Sequence, residues 1–146
     1  MRILRISALV LTALALVPGG AHLFELPGKM RLGGSDYFVV QSIYAGWALF
    51  ALPIVLALLA NGALWAVRRR TDPAEARWSL AAALMILFSL VLFFIRVYPA
   101  NVATENWTFQ PANWESLRTA WEYGHAANTL LIFAAFVATA FATAKR

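Results

Sequence analysis

The chain has 146 residues, of which 62% are hydrophobic and only 13% charged, about half the roughly 25% charged share of an ordinary soluble domain. A soluble fold of this length has no interior large enough for that much apolar surface. The absence of cysteine removes disulfides, thiolate nucleophiles, Cys-based zinc or iron–sulfur sites and covalent haem attachment. The net charge of +5 sits at the ends of apolar runs, a placement that reads as membrane topology and lipid contact rather than nucleic-acid binding.

Apolar stretches that reach the roughly 20 residues needed to cross a hydrocarbon core recur four times. The first is predicted over residues 3–26, with a kink at Pro18-Gly19-Gly20 and an end in the polar, glycine-containing residues 27–35. Its basic start, Met1-Arg2-Ile3-Leu4-Arg5, also resembles a secretory signal. The apolar run resumes after Gly20 and no Ala-x-Ala site precedes His22, so a retained anchor is expected; cleavage would leave three spans.

The second helix is predicted over residues 36–67, stopped by Arg68-Arg69-Arg70, and is too long for the bilayer alone. The third, residues 74–98, opens after Thr71-Asp72-Pro73, a cap followed by a first-turn proline, and closes before Pro99. A polar loop over residues 100–112 leads to the fourth helix, residues 113–144, which ends at Lys145-Arg146. The small-residue runs Ala81-Ala82-Ala83 and Ala134-Ala135 suit close helix packing, and Asn61 reads as a packing residue. The expected fold is therefore all-α: a single-domain, four-helix integral membrane bundle of up-down-up-down topology.

Arg2, Arg5, Arg68, Arg69, Arg70, Arg77, Lys145 and Arg146 fall on one side, and Lys29, Arg31, Arg96 and Arg118 on the other. This split predicts both termini inside, in a bacterial inner membrane. Counting about 20 residues outward from the basic ends puts the outer boundary near Leu23, Trp47, Phe94 and Gly124. The second and fourth helices would then rise about 15 Å beyond it as an outer cap, at 1.5 Å per residue.

Both histidines, His22 and His125, fall at that outer level, each with a glutamate three residues away: His22-Leu23-Phe24-Glu25 and Glu122-Tyr123-Gly124-His125. Positions i and i+3 share a helix face, so the pairs can converge if the first and fourth helices are neighbours. Arg96, Gln41 and Tyr44 lie at or above the same level. Glu-x-x-His pairs on facing helices build carboxylate-bridged metal sites in helical bundles, so His22, Glu25, Glu122 and His125 are candidate ligands for one iron, copper or zinc ion. Haem is a weaker alternative, and no cofactor at all remains open. The plain alternative is interfacial snorkelling with a structural ion pair involving Glu25, Glu122 and Arg96, and an aromatic belt for Trp47, Trp107, Trp114 and Trp121. Asn106-Trp107-Thr108 also fits a glycosylation sequon.

The segments Asn106-Trp107-Thr108, Trp114-Glu115-x-Leu117-Arg118 and Trp121-Glu122-Tyr123-Gly124-His125-Ala126-Ala127 resemble the anthrone oxygenase-like family of small four-helix membrane proteins. Pro27-Gly28-Lys29-Met30 and Gln41-x-x-Tyr44-x-x-Trp47 add to the resemblance, which covers nearly the whole chain. It implies oxidation of a lipophilic aromatic or quinone-like molecule by O2 without metal or flavin. His125 would be the general base and Trp121 would shape the pocket, with Glu122 or Glu25 orienting the imidazole and Arg96 assisting. Gln41, Tyr44, Trp47, Tyr98, Asn101, Trp107 and Asn128 would line the substrate site. The competing expectations are a metal- or haem-binding membrane protein and a non-catalytic bundle subunit. The expected partners are the bilayer, a lipophilic small molecule and, as an alternative to a monomer, further copies of the chain.

Overall fold

Asp72 and Pro73 open a helix as their types dictate. The Asp72 carboxylate accepts the Glu75 backbone N–H at 3.1 Å, and Pro73 occupies a first-turn position where a missing N–H costs nothing. The computed structural model describes residues 1–144; Lys145 and Arg146, the expected basic end of the fourth helix, lie outside the described residues. It contains α1 (Arg2–Lys29), α2 (Gly34–Gln41), α3 (Ala51–Arg68), α4 (Pro73–Leu92), α5 (Tyr98–Ala103) and α6 (Trp114–Thr143).

Four helical stretches, Arg2–Lys29, Trp47–Arg68, Pro73–Ala103 and Trp114–Thr143, are long and apolar enough to cross a membrane. Between 17% and 39% of the most apolar window of each is buried against the rest of the chain. The remainder presents side chains such as Leu52, Leu59, Phe88 and Phe133 outward, the surface of a membrane protein.

α1 packs against α3 and α6, and α4 against the same two helices. The seam is built from small residues: Ala15, Ala57, Ala82, Ala135 and Ala138 pack with Ile86 and Ile132 in the core. Without a Cβ branch these residues let backbones approach, which is where helix association in lipid finds its van der Waals contact. Asn61 ties the middle of the bundle together. Its amide donates to Thr12 Oγ1 at 3.2 Å and to the Ala57 carbonyl at 2.9 Å, and its oxygen accepts from Thr139 at 3.0 Å.

Three expected boundaries are corrected. α1 does not stop at residue 26 but runs through Pro27 to Lys29. The second helix is not one rod over residues 36–67. It breaks at Ala45-Gly46, where Gly46 takes a φ of 85°, a conformation an L side chain resists. α2 is thus a separate short helix, joined to α3 through 3-10 turns at Ser42–Tyr44 and Trp47–Phe50. The third helix continues past Pro99 to Ala103. A π-helical turn over Phe93–Val97 lies ahead of the proline, widening the hydrogen-bond ladder where the ring would meet the preceding turn.

At the Glu75 end, charge is buried rather than absent. Glu75 is 1% exposed and accepts from Arg5 Nε at 2.8 Å, Arg5 Nη2 at 2.6 Å and Arg68 Nε at 2.7 Å. Arg68 also reaches Asp72 at 3.6 Å.

Candidate functional site

The opposite end holds both histidines. Thr129 Oγ1, one turn after His125, donates to the Gly19 carbonyl at 2.8 Å. A Cβ on Gly19 would lie only 2.9 Å from that hydroxyl, so glycine is what lets α1 and α6 close here. One further step along each helix, the His22 and His125 rings meet with centroids 4.2 Å apart.

Aromatic rings surround the pair. His22 has Tyr44 at 4.6 Å, Trp121 at 4.9 Å and Trp47 at 5.4 Å, centroid to centroid. His125 has Trp121 at 4.2 Å and Phe93 at 6.2 Å. The break at Gly46 is what folds Tyr44 and Trp47 back against His22. His22 is buried, and its Nδ1 has no protein partner.

The two glutamates do not join the histidines. Glu122 pairs with Lys29, whose Nζ lies 2.7 Å from Oε1, and the same oxygen accepts from Tyr37 at 2.8 Å. Gln41 Nε2 donates to the Tyr37 hydroxyl at 2.9 Å. Lys29 Nζ donates to Tyr44 at 3.1 Å, and Tyr44 in turn donates to Glu25. The ammonium also sits 4.4 Å from the Trp121 ring centroid and 4.6 Å from that of Tyr44, within cation–π range. Burial, reinforced by Glu122, holds the Tyr37 phenol above its ordinary range; burial and the bond to Glu25 do the same for Tyr44. Both phenols therefore act as neutral donors.

The four-ligand metal centre expected from spacing is not assembled. Among the described residues no three of His, Asp and Glu converge as a ligand group. The reason is Lys29: a buried ammonium takes one carboxylate directly and reaches the other through Tyr44. A first helix ending at residue 26 leaves Lys29 outside it and without a role. The signal was present, because a first helix continued through Pro27 puts Lys29 seven residues after His22 and four after Glu25, on one face.

Asn101, Trp107 and Trp121 form a second set beside the first. Asn101 Oδ1 accepts from the Trp121 indole at 2.7 Å and the Trp107 indole at 3.1 Å. Trp107 is delivered by a turn in which Glu105, Asn106 and Trp107 all have positive φ, of 49°, 57° and 65°. Thr104 Oγ1 accepts the Trp107 backbone N–H at 3.1 Å and holds that turn. Trp107 and Trp114 then pack on Tyr37. Arg118, on the next turn of α6, donates to the Leu32 carbonyl at 2.8 Å and lies over the Trp114 ring.

Arg96 and Tyr98 do not join this set. Arg96 is exposed, and a Cβ on Gly124 would meet its Cβ at 3.3 Å and its backbone carbonyl carbon at 3.9 Å. Tyr98 is exposed and packs on Phe94. The π-helical turn shifts the register after residue 92, so positions counted on an ideal helix point elsewhere. Asn128 is buried, with its Oδ1 lacking a protein partner.

No family model, curated protein or solved structure matches the chain.

Proposed function

We propose that the protein is a membrane oxidoreductase that oxidises a lipophilic aromatic or quinone-like molecule with O2, in the manner of the anthrone oxygenase-like proteins its sequence resembles. The observation that carries this reading is the His22–His125 pair, 4.2 Å apart and walled by Trp121, Tyr44, Trp47 and Phe93. A neutral imidazole without a carboxylate partner has a lone pair free to take a proton, and the surrounding rings suit a flat hydrocarbon.

In this reading the His125 or His22 imidazole removes a proton from the ring CH2 of an aromatic ketone. The resulting carbanion, delocalised as a phenolate, passes its electrons to O2. The balance is one CH2 plus O2 giving one C=O plus water. The Lys29 ammonium, 4.4 Å from the Trp121 ring centroid, stabilises the developing anion in this reading. A groove of about 360 Å³ lined by Leu14, Gly46, Leu49, Phe50 and Pro53 borders Trp47 in the chain.

The same proposal sets the frame: an up-down-up-down bundle in a bacterial inner membrane, with both termini inside and the histidines at the outer end, beneath a cap of α2 and the Trp107–Trp114 cluster. The bias of basic residues toward the Glu75 end supports this orientation. Purified protein in detergent should consume O2 with an anthrone faster than protein-free micelles. The variants His125→Ala and His22→Ala should fall to the micelle rate; full turnover in both would remove the assignment.

A further inference from the structure

Away from the histidines, α1 and α6 leave a cleft at the Glu75 end. It is lined by Arg2, Arg5, Ile6 and Leu9 of α1 and Thr143 of α6, with a volume of about 240 Å³. We propose that this cleft binds the phosphodiester headgroup of an anionic phospholipid, with the acyl chain lying on Ile6 and Leu9.

Its two cations differ in kind. The Arg5 guanidinium is fixed by the buried Glu75, which takes its Nε and one Nη2 proton. Of the five N–H groups an arginine carries, three remain for an acceptor. Among the described residues neither Glu75 nor any other carboxylate is part of the lining. Arg2, one turn earlier and exposed, adds charge that no ion pair among the described residues offsets. A fixed guanidinium next to an exposed one, on an apolar wall, matches a phosphate joined to a hydrocarbon tail.

Thr143 closes the α6 side of the cleft. Its hydroxyl donates back to the carbonyls of Thr139 at 2.9 Å and Ala140 at 3.2 Å, which leaves the oxygen lone pairs as acceptors. The volume is several times the roughly 30 Å³ a water occupies in the liquid. Arg68, Arg69, Arg70 and Arg77 populate the same end of the sequence pattern, the arrangement that attracts anionic lipid to a membrane surface.

The test is native mass spectrometry of the delipidated full chain in detergent, titrated with phosphatidylglycerol, phosphatidylcholine or inorganic phosphate. One phosphatidylglycerol should be retained in preference to phosphatidylcholine, and phosphate should not displace it. Arg2→Gln should weaken retention about five-fold, the scale of one basic residue at an anionic surface. Leu9→Trp, which fills the cleft and keeps both charges, should abolish it, and Arg77→Gln should leave it unchanged. Equal retention of the two lipids, displacement by phosphate, or full retention in both Arg2→Gln and Leu9→Trp would overturn the proposal.

Discussion

Lys29 Nζ lies 2.7 Å from Glu122 Oε1, and the two side chains are 4% and 0% exposed. A charge pair this deep is held by mutual compensation: removing one partner strands the other, at a cost of about 3–5 kcal/mol. Lys29→Met should therefore lower stability by that amount in equilibrium unfolding in mixed micelles. The double variant Lys29→Met with Glu122→Gln should recover most of it. A single variant as stable as the parent would mean that the ammonium is not paired as described.

The phenols around this pair fix the direction of an alkaline response. Tyr37 and Tyr44 have pKa values raised from an ordinary 10.0, chiefly by burial, so the folded state holds their protons more tightly than the unfolded chain does. Their contribution is complete below pH 10.0 and is lost as pH rises above it. Thermal stability followed by tryptophan fluorescence should fall above that pH, and Tyr37→Phe should flatten the fall. An unchanged slope in the variant would show that Tyr37 does not titrate with unfolding.

Gly124 and Gly20 offer a controlled comparison within helices. A Cβ on Gly124 would come within 2.8 Å of Val97 Cγ2 and 3.3 Å of Arg96 Cβ, atoms close to their own backbones with little room to move. A Cβ on Gly20 meets nothing within 4 Å. Gly124→Ala should destabilise by about 1–3 kcal/mol through overpacking. Gly20→Ala should be neutral or stabilising by up to about 1 kcal/mol, since alanine is the better helix former. Equal melting temperatures for the two variants would contradict the tight approach of α6 to the π-helical turn.

The sequence disclosed the apolar spans, the Asp72-Pro73 start and the meeting of His22 with His125, because each follows from a local rule of length, capping or face periodicity. It did not disclose what departs from ideal helices. The break at Gly46 brings Tyr44 and Trp47 onto His22, and the π-helical turn carries Tyr98 and Arg96 away. Continuation of α1 through Pro27 delivers Lys29 to Glu122. Each depends on tertiary packing that satisfies an interrupted backbone, which periodicity does not encode. The Arg5–Glu75–Arg68 cluster was hidden for another reason: basic residues at a span end read as topology, and their shared carboxylate emerges only when α1, α3 and α4 converge.

The histidine pair is tested most directly by isotope. With an anthrone substrate under 18O2, the purified protein should form the quinone with one 18O atom in the new carbonyl, at a rate above that of protein-free micelles. The double variant His22→Ala with His125→Ala should give only the micelle rate. Unlabelled product, or labelled product formed as fast by the double variant as by the parent, would contradict a role for the paired imidazoles in the oxidation.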